Sequence, residues 1–297
     1  MELEQLTTEQ RNQRTMDMDN MSVRQIAEVM NEEDNHVIEA VQKAISQIEC
    51  LIDCAVEALS SSGRIIYIGA GTSGRLGILD AVECPPTFGV SYDTVVGVIA
   101  GGDNAFVKAK EGAEDNAKEG MEDLKKIDLT PKDLVIGLTA SGRTPYAIGA
   151  VQYAREIGCR TGAISCNLNA EISAWVDAPV ELETGPEIIS GSTRLKAGTA
   201  EKMVLNMISS ITMIQLGKTY KNFMVDLKST NYKLEQRAVH IVMNAAECTR
   251  EQAEKGLEEA GQEVKTAIVM LKKGCTKKEA EYRLKTAKGR VNKALLD

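Results

Sequence analysis

The chain has 297 residues, 43% of them hydrophobic, with 35 Lys and Arg against 43 Asp and Glu for a formal net charge of −8. An acidic balance without any Lys/Arg run argues against nucleic acid and anionic membranes as partners. The start, MELEQLTTEQRNQRT, lacks an apolar signal core, and no apolar run approaches the roughly 18 residues of a membrane span.

Before the first strand, Val37, Val41, Ile45, Ile48, Ile52, Val56 and Leu59 recur at three- and four-residue steps and predict a helix over 35–62, ended by Ser61-Ser62-Gly63. Short apolar runs follow at RIIYIGAG (64–71), TVVGVIAGG (94–102), DLVIGLTASG (133–142), TGAISC (161–166) and PVELET (179–184). Helical stretches separate them, and all six prolines lie between Pro85 and Pro186. This alternation predicts an α/β fold, a parallel sheet with helices on both faces and right-handed crossovers. A long helix is expected over about 193–218. Shorter ones follow at 231–247, 250–260, 262–273 and 276–288, with Gly261 and Gly274 at breaks. The expected domains are 1–225, the sheet with its N-terminal helices, and 226–297, a small helical domain serving dimerisation or as a lid.

Seven cysteines are scattered without a CxxC pair, and Cys50 and Cys54, one helical turn apart, read as core packing rather than a disulfide. Together with the missing signal this predicts a soluble cytoplasmic protein. His36 and His240 are the only histidines, both in helical patterns remote from any motif. A His-based triad or multi-His metal site is therefore not expected, and acid–base chemistry falls mainly to carboxylates.

Three strands end in similar loops: GAGTSG (69–74), AGGDN (100–104) and TASGRT (139–144). Ligands of open parallel sheets sit at the carboxyl ends of strands, beside helix N-termini whose free N–H groups suit a dianionic phosphate. Thr72, Ser73, Ser141, Gly142, Arg143 and Thr144 are the candidate phosphate residues there, the hydroxyls of Ser73, Ser141 and Thr144 foremost. GAGTSG superficially matches GxGxxG, but no clear acid ends the second strand and no GxxxxGK[ST] occurs, so a nucleotide is disfavoured. Tight strand-to-helix turns without a ligand are the plainer alternative. In GPEIISGSTRLKAGTAEK (185–202), Ser192 and Thr193 are capping types and Arg194 and Lys196 add positive charge. A capped helix start with solvated cations competes there with ligand binding by Ser192, Thr193 or Lys196.

GAGTSGRLGILDAVECPPTFG, TASGRTPY and GPEIISGSTRLKAGTAEK, in this order, resemble the N-acetylmuramic acid 6-phosphate etherase family, which has a sugar isomerase (SIS) domain and is related to the glucokinase regulatory protein. The resemblance runs from about residue 5 to the C-terminus. It implies cleavage of the D-lactyl ether of N-acetylmuramate 6-phosphate to N-acetylglucosamine 6-phosphate and D-lactate, by a homodimer needing no metal or other cofactor. It also implies two catalytic glutamates at Glu83 and Glu114, the first the proton donor. Taken alone, Glu114 lies among Glu111, Asp115 and Glu119 as on a solvated face, whereas Glu83 stands between a phosphate-type loop and Pro85-Pro86. Two other readings stay open on the fold: an aldose–ketose sugar-phosphate isomerase and a non-enzymatic phosphosugar sensor.

The implied reaction asks for one ionised and one protonated carboxyl at the same pH. If the helix over 74–83 ends at Glu83, its negative end and a bound phosphate both disfavour ionisation there. Gly112 starting a helix would put Glu114 in a first turn, where the dipole favours the carboxylate. That effect is only ~0.3–1 kcal/mol, so burial must supply the rest.

Overall fold

A computed structural model describes residues 6–108, 110–227 and 232–296. Five strands, β1 (Ile65–Gly69), β2 (Val95–Ile99), β3 (Leu134–Thr139), β4 (Arg160–Ser165) and β5 (Ala178–Glu181), form one parallel sheet in the order β2-β1-β3-β4-β5. All residues of β1 and β3 are buried, as expected of strands covered on both faces. The helices are α1 (Val23–Glu33), α2 (Asn35–Lys43), α3 (Ile45–Ser60), α4 (Gly71–Phe88), α5 (Asn104–Val107), α6 (Ala117–Lys126), α7 (Pro145–Ile157), α8 (Lys196–Gln215), α9 (Tyr232–Ala246), α10 (Arg250–Glu259), α11 (Val264–Lys273), α12 (Lys277–Thr286) and α13 (Val291–Ala294).

Strand register assigns the helices to faces. Ile136 pairs with Gly162 and Gly137 with Ala163, so Gly162 and Gly137 face opposite sides of the sheet. A Cβ on Gly162 would meet Leu51 of α3, and one on Gly137 would meet Val151 of α7. Helices α3 and α7 therefore cover opposite faces. The α7 face carries a core of Ile66, Ile68, Val135, Tyr146, Ala147 and Val151.

Compact packing divides the chain into two units. One comprises Met1–Val82 and Asp93–Ser209, the other Glu83–Tyr92 and Ser210–Asp297. The division falls inside α8 and draws in residues 83–92, rather than at the expected 225/226. The second unit packs α9 to α13 around Val242, Ala253, Leu257, Ala267, Ile268 and Val291, with an antiparallel pair β6 (Thr219–Tyr220) and β7 (Phe223–Met224). Thr249 and Thr276 open α10 and α12 with capping boxes, and Gly274, in the left-handed region, closes α11.

Four local expectations are corrected. The helix expected over 35–62 is two helices broken at Ala44; no contact in the structure accounts for the break. Helix α4 does not stop at Glu83 but continues through Pro85 and Pro86 to Phe88. Proline lacks the N–H, so the carbonyls of Ala81 and Val82 receive no helical bond, yet the helix persists. Helix α8 starts at Lys196 rather than near 193, because the Glu187 carboxylate accepts from the backbone N–H of Lys196 and Ala197, both at 2.9 Å. Glu187, not Ser192 or Thr193, caps it. Cys50 is exposed rather than part of the core, and the cysteines are free thiols. Residue 231, where a helix was expected to start, lies outside the described residues.

Candidate functional site

The sheet order places β1 between β2 and β3, so the chain leaves β1 to one side and later returns to the other. Crevices of open α/β sheets form at such a switch, beyond the carboxyl ends of the strands. A cavity of about 280 Å³ lies there, among the loops after β1 and β3.

Its floor comes from the glycine loops. Gly74 lets α4 approach the sheet: a Cβ there would lie 2.6 Å from the Gly69 carbonyl oxygen and 2.8 Å from Ile99 Cγ1. The helix consequently begins directly at the end of β1, and its first N–H groups have no helical acceptor. Thr72 and Ser73, in that first turn, line the cavity. Ser73 Oγ is hydrogen-bonded to Glu201 Oε1 at 2.8 Å.

The β3 loop supplies the opposite wall. Ser141 and Thr144 line the cavity, and both are tied to Thr139, whose Oγ1 is 3.3 Å from Ser141 Oγ and 2.7 Å from Thr144 Oγ1. Thr144 precedes α7 with Pro145 at its first position and makes no side-chain cap, leaving that helix start open as well. Gly142 shapes the turn itself. Its φ is +76°, a Cβ would strike Ala170, and its N–H donates to Thr139 O at 3.0 Å. Arg143 is half-buried and its backbone N–H donates to Ser141 Oγ at 3.3 Å; neither it nor Gly142 lines the cavity.

The candidates from the later stretch separate. Thr193 lines the cavity and Ser192 does not. Lys196 is withdrawn from it: its Nζ donates to Glu33 Oε2 at 2.7 Å, the two side chains being 2% and 4% exposed. Glu33 also accepts from Asn12 Nδ2 at 2.7 Å and pairs with Arg14. Burial pushes the Glu33 carboxyl up, but the hydrogen bonds from Lys196, Asn12 and Arg14 outweigh it and hold it below its ordinary value.

Of the two candidate catalytic carboxylates, Glu114 lines the cavity. It stands in a 3-10 turn, Ala113–Asp115, opened by Gly112 in the left-handed region, so the expected first-turn placement is present. Glu83 is not among the lining residues; it lies within α4, exposed, in the second unit. Because α4 runs on past it to Phe88, Glu83 does not stand at the negative end of the helix as expected.

Several lining residues escape sequence reasoning. Glu9 reaches the cavity from the N-terminal segment, which Asn167 holds: its Oδ1 accepts from Thr7 N–H at 2.8 Å and Thr7 Oγ1 at 2.9 Å, while its Nδ2 donates to Thr8 Oγ1 and Ala140 O, each at 3.0 Å. Arg75 also lines it and clamps the loop after β2, donating to Phe106 O at 2.9 Å and Ala105 O at 2.8 Å. Lys110 and Glu111 come from the stretch that carries Glu114. Behind Ser73, Glu201 is buried with no cation beside it among the described residues, and burial lifts its carboxyl to about 8, only partly offset by the Ser73 hydroxyl. Among the described residues no three of His, Cys, Asp or Glu are grouped to hold a metal ion, and no helix is long and apolar enough to cross a membrane.

A cavity walled by hydroxyls and open helix starts, with Arg75 and Lys110 in its lining, is suited to an anionic polyol, above all one carrying a phosphate. The model of the glucokinase regulatory protein N-terminal SIS domain matches residues 47–155. Proteins called N-acetylmuramic acid 6-phosphate etherase match nearly end to end. The one from Geobacillus sp. (strain WCH70) is 56% identical over 99% of both chains, and that of Halalkalibacterium halodurans is 53% identical over 99% of this chain and 98% of its own. That of Bacillus cereus (strain G9842) is 56% identical over 99% of this chain and 100% of its own. Among solved structures, a phosphoheptose isomerase from Francisella tularensis superposes with a TM-score of 0.47 at 15% identity, covering 66% of this chain and 99% of its own.

Proposed function

From the premise that this chain belongs to the N-acetylmuramic acid 6-phosphate etherases, with which it shares more than half its residues over 99% of its length, we propose how its SIS-type cavity serves the reaction. The enzyme cleaves the D-lactyl ether of N-acetylmuramic acid 6-phosphate by eliminating lactate and adding water. The products are N-acetylglucosamine 6-phosphate and D-lactate, in the recycling of cell-wall amino sugars.

The 6-phosphate is assigned to the first turn of α4 and the β3 loop, held by Thr72, Ser73, Ser141 and Thr144 with Thr193. What supports this is the convergence of these hydroxyls and two open helix starts on one cavity. Gly142 and Arg143 shape the loop. Ser192 is left as loop structure and Lys196 as the partner of Glu33.

With the sugar open, the aldehyde at carbon 1 acidifies the proton on carbon 2. A carboxylate takes that proton, the carbon 3–oxygen bond breaks, and a carboxylic acid protonates the leaving lactate oxygen. Water then adds to the α,β-unsaturated aldehyde: its oxygen bonds to carbon 3 as its proton passes to the carboxylate left by the acid, and the protonated base returns a proton to carbon 2, so atoms balance at each stage. Glu114 is assigned as the base and Glu83 as the acid, each role worth roughly 10²–10⁴-fold. Glu114's place in the cavity supports its role; Glu83's rests on the likeness to the family. Every step is written with carboxylates alone and calls on no metal or other cofactor. The reading extends to a cytoplasmic homodimer with no nucleic-acid partner.

Incubation with N-acetylmuramic acid 6-phosphate and enzymatic measurement of D-lactate tests this. Equimolar D-lactate and N-acetylglucosamine 6-phosphate are expected. A ketose phosphate without lactate would make the protein an isomerase, and tight substrate binding without turnover would make it a sensor.

A further inference from the structure

Ser73 is a buried hydroxyl in the cavity lining. It lies in the first turn of α4, and its Oγ is 2.8 Å from Glu201 Oε1 of α8. Glu201 is 1% exposed, and its Oε2 has no hydrogen-bond partner among the described residues. Among the described residues the hydrogen bond to Ser73 is thus the one hydrogen bond of this carboxyl group.

A serine hydroxyl carries a single proton. If Glu201 were ionised, both its oxygens would be acceptors, and the Ser73 proton would have to point at Oε1. Ser73 would then turn only lone pairs towards the cavity. A phosphate dianion is itself all acceptor, so it would meet repulsion there. If Glu201 carries a proton, the order reverses. The proton on Oε1 has Ser73 Oγ as its acceptor, whereas on Oε2 it would be buried and unsatisfied, a costly state. The Ser73 proton is then released towards the ligand.

We propose that Glu201 is a positioning residue for the phosphate site: it works as the neutral acid, donating its O–H to Ser73 Oγ and so presenting the Ser73 hydroxyl as a donor to the substrate phosphate. This rests on the reading above that Ser73 holds the phosphate. The surroundings favour the neutral form. Burial is the largest influence and raises the carboxyl to about 8; the Ser73 hydroxyl opposes it, and no Lys, Arg or His takes part. The Cys166 thiol, beyond β4, is pushed well up by burial and then by Glu201 and Glu187, so it brings no positive charge. The proton is held at neutral pH and lost in mild alkali, and phosphate affinity should follow it.

The test is the dissociation constant of N-acetylglucosamine 6-phosphate between pH 7 and 9.5, by calorimetry, for the wild type, E201Q, E201M and S73A. The ligand's phosphate is dianionic throughout, since its second pKa is about 6. For a group titrating near 8, the competent fraction falls so that binding at pH 9.5 is about 30-fold weaker than at pH 7. In E201Q the amide N–H donates to Ser73 at every pH, and affinity is expected to be flat across the range. E201M, which offers Ser73 no competing carboxylate, leaves the hydroxyl free for the ligand and should show no slope either. A merely space-filling Glu201 would not make the slope depend on its proton. Flat wild-type binding, or an E201Q slope equal to the wild type's, overturns the proposal while a weakened S73A leaves the phosphate reading standing. An S73A variant with wild-type affinity overturns both. Should E201M not fold, the comparison of wild type with E201Q decides alone.

Discussion

Replacing Lys196 by methionine keeps most of the stem's packing and removes the charge that faces Glu33. The two side chains are 2% and 4% exposed, with Nζ 2.7 Å from Oε2, so the variant leaves a buried carboxylate short of its main partner. Removing one member of a buried pair typically costs about 3–5 kcal/mol. Here Asn12 still donates at 2.7 Å and Arg14 at 3.2 Å, but Arg14 is 44% exposed and its contribution is screened. We expect a loss of roughly 2–3 kcal/mol, or roughly 5–10 °C in melting temperature for a unit of this size. The Glu33 carboxyl lies below its ordinary value in the fold. Its stabilisation is therefore present above the unfolded value of about 4.5 and lost as pH falls through the folded one, so the wild type and Lys196→Met should converge in acid. Exchanging Glu33 for leucine as well should recover most of the loss, because an apolar pair avoids the desolvation of both charges. Urea and thermal melts at pH 7 and pH 4 decide. A fully stable Lys196→Met whose affinity for the phosphosugar has dropped tenfold or more would show that Lys196 serves the ligand and not the Glu33 network.

Ser141→Ala removes a donor to the phosphate and should raise KM by roughly 10- to 150-fold, the range of a charged hydrogen bond worth about 1.5–3 kcal/mol; steady-state kinetics with an unaltered KM would contradict the assignment. Glu114→Gln should abolish both exchange of the carbon 2 proton with deuterium oxide and lactate release. Glu83→Gln should depress lactate release more than exchange and be partly rescued by a better leaving group, the opposite pattern by NMR reversing the two roles. Activity should survive prolonged dialysis against EDTA; loss on chelation and recovery with a divalent ion would reveal a metal step.

The sheet could be read directly because its strands are buried on both faces and therefore appear as continuous apolar runs between helices, as in IIYIG and LVIGLT. The loop chemistry was equally local: Thr72, Ser73, Ser141 and Thr144 meet because their strands are neighbours in the sheet. Helix ends were less legible. Proline reports a missing N–H but not whether packing outweighs it, and so α4 passes Pro85 and Pro86. Ser192 and Thr193 were plausible caps, yet a carboxylate five residues upstream of Ser192 occupies the α8 start. Glu9, Glu187 and Glu201 had no local signature, since each acquires its meaning from a partner far away in sequence or from burial. Lys196 shows the converse: its charge was visible, its engagement by Glu33 was not.

The staple made by Asn167 has a consequence in time. Thr7 and its acceptor are 160 residues apart. A ribosome adding about 5–20 residues per second makes the acceptor roughly 10–30 s after the donor. Until then Glu9 has no wall to belong to, although its segment emerges before the loops after β1 and β3 with which it lines the cavity. The cavity thus waits for Asn167, which holds the oldest stretch of chain, and for Thr193, made later still, so a nascent fragment ending before Asn167 has no complete site.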